Sequence, residues 1–198
     1  MLSKNILKFQ KLSDLPYFTV GDLAEEFNIQ PESASVLCSR YAKQGLLVKL
    51  KNNYYSARQK LKNIGREDLF AIANIVQVPS YISFMTAMSY YELTTQLQRN
   101  FVESASVKRT IEYSRNGTEL RYYKMKKQYY FDFTKENGIF IATKEKSFID
   151  AMYLYSFGKY KFDLSSIDIS KLDKSKLLNL VKVYPDKTKK IVIGVCRI

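Results

Sequence analysis

NIQPESASVLCSRYAKQGLL, residues 28–47, holds the pattern from which the fold is read. Pro31 suits the first position of a helix, where its missing N–H would have no partner in any case. Gly45 suits the stop. Projected at about 100° per residue, Ala34, Leu37, Cys38 and Tyr41 fall on one side of this helix. Glu32, Ser35, Val36, Ser39, Arg40 and Lys43 fall on the other. The first side is read as core and the second as an outward surface.

The flanking sequence supplies the neighbours of this helix. Upstream, Thr19 is a plausible N-cap with Asp22 in the first turn, and Val20, Leu23, Ala24 and Phe27 recur at helical spacing. Before that, residues 3–12 are expected to form a short amphipathic helix with Ile6 and Leu7 turned inward and Leu2 a further candidate, broken at residues 13–16. Downstream, LLVKL, the turn KNN and YYSA predict a two-stranded hairpin. Helix, three-residue turn, helix and hairpin is the order of a winged helix-turn-helix, whose second helix enters the major groove of DNA.

The outward residues suit that role. Arg40 can reach guanine O6/N7 or a phosphate, Ser33, Ser35 and Ser39 can meet a base or a phosphate, and Val36 fits a thymine methyl group. Glu32 either accepts from cytosine N4 or complements the helix N-terminus. Lys43, Lys49, Lys51 and Asn52 are expected to hold backbone phosphates from the helix end and the wing. The competing reading leaves Arg40 and Lys43 as ordinary surface charges. Winged helices sometimes bind only proteins, but the hairpin favours DNA: Lys49, Lys51, Arg58, Lys60 and Lys62 occur with no acid between residues 49 and 62, a costly arrangement without a polyanion nearby.

Composition agrees. The 198 residues carry a formal net charge of +13, and clustered Lys and Arg gain affinity by displacing counterions from phosphates. Residues 1–62 hold ten bases and five acids, a net of +5, leaving +8 for the rest. There is no histidine, which removes imidazole triads, His-ligated metals and imidazole acid–base chemistry. Cys38 and Cys196 lack the spacing of a zinc or redox pair and are read as small core residues or free thiols. No window approaches the roughly 18 apolar residues of a membrane span. A cytoplasmic, non-enzymatic protein with no metal, no cofactor and no catalytic residue is expected.

The fold class expected is α+β: an N-terminal winged helix-turn-helix over residues 1–62, a connecting helix within 63–78, and a C-terminal mixed domain over 79–198 with an antiparallel sheet flanked by helices. In the last of these, a helix is expected over about 83–93, a strand SVKRTIEY, the turn SRNGT with its Asn-Gly signal, a strand ELRYYKM, then YYFDF and GIFIA joined by TKEN. Helices are expected over 144–155 and about 171–183, ahead of the apolar run IVIGVC. Bases in this hairpin alternate with Val107, Ile111, Leu120, Tyr122 and Tyr123. Lys108, Arg109, Arg115, Arg121, Lys124 and Lys126 therefore form a second candidate basic surface, facing DNA, RNA or only solvent. Glu145 and Asp150 lie about 140° apart on one helix and do not make a paired carboxylate site. Glu145 is read as a charge near a helix N-terminus, and Asp150 as an acceptor for backbone or tyrosine donors.

Two segments resemble the AbiE antitoxins of bacterial abortive-infection systems. IANIVQVPSYISFMTAMSYYEL has that family's proline, Tyr-x-Ser and small-residue helix, and IFIATKEKSFIDAMYL has its Ala-Thr/Ser-Pro-Glu-Lys helix with a central Asp, here Ala142, Thr143, Glu145, Lys146 and Asp150. Lys144 stands where the family's proline is usual. The resemblance, over residues 20–183, implies the antitoxin of a type IV toxin–antitoxin pair. Such a protein binds inverted repeats in its own promoter and counteracts a nucleotidyltransferase-like toxin, generally without a stable complex; because a winged helix often reads two half-sites, cooperative or dimeric binding is expected. Two other readings stay open at this point: a nucleic-acid-processing enzyme docked by its winged helix, and a plain transcriptional repressor.

Overall fold

The computed structural model describes residues 2–96, 100–115 and 117–198, with the backbone alone at residues 2–5 and 115. The chain divides into two compact units, Met1–Ile72 and Ala73–Ile198. The first contains α1 (Leu2–Ser13), β1 (Phe18–Thr19), α2 (Val20–Phe27), α3 (Pro31–Lys43), β2 (Leu47–Lys51), β3 (Tyr54–Ala57) and α4 (Arg58–Lys62). The division falls inside α5 (Arg66–Val76).

Local signals set the ends of α2 and α3. The Thr19 hydroxyl accepts from the Asp22 N–H at 3.1 Å while the Asp22 carboxylate accepts from the Thr19 N–H at 2.6 Å, a reciprocal capping box. Asn28 ends α2 at φ +53, a left-handed conformation asparagine tolerates. Pro31 opens α3, and Gly45 follows it at φ +77, where a side chain would be strained. Leu12, Phe18, Leu23, Ala34, Cys38, Leu47 and Tyr55 close one apolar core. Burying each large side chain there stabilises the unit by about 1.5–3 kcal/mol. The sheet is antiparallel in the order β1-β3-β2, so the expected hairpin acquires a third, two-residue strand. The inward placement of Ile6 and Leu7 is corrected: they are 60% and 65% exposed. Helix α1 is anchored instead through its later turns, by buried Leu12 and by Phe9 edge-on to Tyr41 at 5.2 Å. The Leu2 side chain lies outside the described residues.

The second unit contains β4 (Ser80–Ile82), α6 (Phe84–Tyr90), β5 (Phe101–Ser106), β6 (Ile111–Arg115), β7 (Thr118–Lys124), β8 (Phe133–Glu136), β9 (Ile139–Ala142), α7 (Lys144–Ser156), α8 (Lys174–Val181) and α9 (Asp186–Cys196). Its six-stranded sheet has the order β6-β7-β5-β4-β9-β8. It is mixed, since β5 runs parallel to β7 and β4 to β9, while the other pairs are antiparallel. Helix α7 is buried along nearly its whole length, so it shows no clean polar side.

Three sequence expectations shift here. SVKRTIEY is not one strand: β5 ends at Ser106, whose hydroxyl accepts from the Lys108 N–H at 3.3 Å, and residues 107–110 form a loop. YYFDF is not a strand either; Tyr129 stacks on Tyr184 at 4.5 Å, Asp132 takes φ +55, and pairing begins at Phe133. The last expected helix is shorter, α8, with Asp173 as its cap, and the apolar run IVIGVC is the core of α9. Among the described residues no helix is long and apolar enough to cross a membrane.

Candidate nucleic-acid interface

Helix α3 presents the expected surface. Ala34 and Cys38 are fully buried, and burial pushes the Cys38 thiol up to about 11. Ser33, Ser35, Val36, Ser39, Arg40 and Lys43 are all exposed, Val36 at 69%. A valine so open on an otherwise well-packed helix is available for an apolar contact such as a thymine methyl group. The exposed Arg40 guanidinium lies 5.8 Å from the centre of the Tyr41 ring.

The wing adjoins this surface. Asn52 and Asn53 form the tip between β2 and β3, with Asn53 at φ +62. A shallow groove is lined by Glu32 and Ser35 of α3, Gly21 at the start of α2, and Asn53 and Tyr54 of the wing. The front of α3 and the tip of the hairpin thus share one surface. Lys49 is exposed on β2, and the Lys51 ammonium lies 4.4 Å from the centre of the Tyr54 ring. Three main-chain acceptors fasten the wing: the Val20 N–H donates to the Asn53 carbonyl at 3.0 Å, and Arg58 donates from Nε to the Gly45 carbonyl at 2.6 Å and from its N–H to the Leu46 carbonyl at 2.9 Å. The sequence marks Arg58 only as one base of the acid-free stretch, not as a fastener of the wing, and gives Tyr54 and Asn53 no role beyond the hairpin. The only signal for that fastening was a base one hairpin away from a helix C-terminus, where cations are favoured.

Of the second basic group, Lys108, Arg109, Lys124 and Lys126 sit around the paired ends of β5 and β7, where the Lys124 N–H donates to the Thr110 hydroxyl at 3.0 Å. Lys108 and Arg109 are exposed in the loop after β5, Lys124 ends β7, and Lys126 follows it, also exposed. Arg121 is engaged: it pairs with Glu112 at 2.6 Å and lies over the Phe101 ring at 5.2 Å. The Arg115 side chain and Asn116 of the SRNGT turn lie outside the described residues.

The two segments that carry the family resemblance meet in the core of the second unit. Asp150 accepts from Tyr81 at 2.9 Å and Ser83 at 2.8 Å on one oxygen, and from Tyr184 at 3.2 Å on the other. Lys146 donates to Tyr81 at 2.8 Å and pairs with Asp150. Burial lowers the Lys146 pKa, opposed by Asp150, and raises those of Tyr81 and Tyr184, with Asp150 adding to both. Lys146 and Asp150 are wholly inaccessible, so the motif builds the core, and Asp150 is the tyrosine acceptor its sequence context indicated. Glu145 is also buried; it accepts from the Asp173 N–H at 3.2 Å and pairs with Lys176 at 3.2 Å, joining α7 to α8.

These features define the class: a winged helix-turn-helix unit followed by an α+β unit on a mixed sheet. Among solved structures the chain is similar to the Rv2827c protein from Mycobacterium tuberculosis, with a TM-score of 0.59 over 91% of this chain and 71% of that one. Identity is 9%, so the likeness is one of fold. No family model and no curated protein sequence matches the chain.

Proposed function

We propose that this chain is a DNA-binding autorepressor and the antitoxin of a type IV, AbiE-like pair. The observation that carries the DNA reading is the exposed face Ser33, Ser35, Val36, Ser39, Arg40 and Lys43, which at Ser35 shares a groove with the tip of an acid-free wing. Arg40 and the serines read base edges in the major groove, while Lys43, Lys49, Lys51 and Asn52 grip phosphates. The antitoxin part is supported by the segments around Tyr81 and Asp150. On this reading the partners are operator DNA with inverted repeats, bound cooperatively or as a dimer, and a nucleotidyltransferase-like toxin counteracted without a lasting complex. The protein is cytoplasmic, catalyses nothing and needs no cofactor.

Gel shifts on the DNA upstream of its own gene, across a salt series, test the reading. Arg40→Ala is expected to lose about 1–3 kcal/mol of discrimination between operator and random duplex. Lys51→Ala is expected to weaken both alike and to reduce the salt slope by about 1. If neither substitution changes binding, α3 and the wing do not hold DNA.

A further inference from the structure

The last turn of α7 and the loop after it carry the sequence YSFGKYKF, residues 155–162, with no acid from 151 to 162. In the structure this loop faces the sheet across a cleft lined by Phe101, Arg121 and Tyr123 on one side and by Lys159, Lys161 and Phe162 on the other. Tyr155 continues the aromatic wall: it is 41% exposed, and its ring lies 5.7 Å from that of Phe162. Lys159 and Lys161 are exposed at the rim.

The acids around the cleft are each engaged by neighbouring donors. Glu112 is spent on Arg121. Glu103 lines the floor but is 3% exposed, its carboxylate receiving the hydroxyls of Tyr160 at 2.8 Å and Tyr123 at 3.3 Å. Asp163 accepts from the Ser165 N–H and hydroxyl at 3.0 and 2.7 Å.

We propose that this cleft binds single-stranded nucleic acid, with unpaired bases stacking on Tyr155, Phe162 and Phe101 and phosphates meeting Lys159 and Lys161. The chemistry discriminates between partners. A duplex hides its base faces, so exposed rings gain little from it, whereas in a single strand each base offers a face to stack on. An apolar protein segment would bury the rings but leave the rim lysines without anions. The inference does not depend on what α3 contacts.

The test uses the full chain carrying Arg40→Ala and Lys43→Ala, so that α3 contributes little. Fluorescence anisotropy is measured with labelled oligo(dT), oligo(rU) and duplex DNA of about 12 nucleotides, close to one binding site. Single strands are expected to bind at least about tenfold tighter than duplex, and Tyr155→Ala to weaken them at least about fivefold. Tyr155→Leu, which keeps apolar bulk but removes the stacking face, is expected to do the same with an unchanged melting temperature. Lys159→Gln with Lys161→Gln should lower the slope of log affinity against log salt by about 1.4. Equal affinity for duplex, no binding of either single strand at micromolar protein, or binding that responds to the lysines but not to Tyr155, each overturns the proposal.

Discussion

Raising the pH from 8 to 11 should unfold the second unit through its tyrosines. Tyr81, Tyr122, Tyr160 and Tyr184 are at most 6% exposed, and burial raises the pKa of each above the ordinary 10.0. A raised folded pKa means that the stabilisation is complete below 10 and is lost as pH climbs toward the folded value, because only the unfolded chain can ionise there. Between pH 10 and 11 each such group removes about 1 kcal/mol, so the four remove about 4 kcal/mol, a large part of the roughly 5–15 kcal/mol that holds a domain. Lys146 acts with the opposite sign. Its lowered pKa makes stability rise with pH up to about 10.5, which offsets less than about 1 kcal/mol in that interval. Urea denaturation followed by far-ultraviolet circular dichroism at pH 8, 10 and 11 measures the loss. Tyr184→Phe gives up a hydroxyl donor to Asp150, costing about 1–2 kcal/mol at pH 8, but should shrink the alkaline loss by about 1 kcal/mol. Equal midpoints at pH 8 and 11, or an undiminished loss in Tyr184→Phe, would refute the reasoning.

Asp150→Ala leaves the buried Lys146 ammonium without its carboxylate and should cost at least about 3–5 kcal/mol, whereas Lys146→Met with Asp150→Leu should recover only the part due to that ammonium, because the hydroxyls of Tyr81, Ser83 and Tyr184 still lose their acceptor, as read by thermal denaturation. Thr19→Ala removes one half of the capping box and should cost the first unit about 1 kcal/mol, seen as faster amide exchange in the first turn of α2.

The elements legible in the sequence are those fixed by local chemistry. Thr19 and Asp22, Pro31 and Gly45 mark ends that depend only on neighbouring backbone groups, and the spacing of Ala34, Leu37, Cys38 and Tyr41 gave the inward side of α3. Strands β1 and β4 left little trace, because two or three residues carry no periodicity and owe their pairing to distant partners. YYFDF has strand composition, yet Tyr129 is claimed by Tyr184, 55 residues later in numbering. Lys146 was hidden in another way. Lysine is among the residues least expected in a core, and its spacing of four from Asp150 is the one local signal of a pair. The cleft beside Phe162 needed the sheet to bring Phe101 and Arg121 opposite the loop after α7, which no local pattern announces.

The fastening of the hairpin to α3 has an evolutionary consequence. The acceptors are the backbone carbonyls of Gly45, Leu46 and Asn53, and the packing of α3 rests on Ala34 and Cys38. None of this depends on which side chains occupy 33, 35, 36, 39, 40 and 43. Those six positions can drift without taxing the scaffold, so, if the proposed DNA reading holds, descendants of this chain can acquire new target sequences while keeping the same architecture.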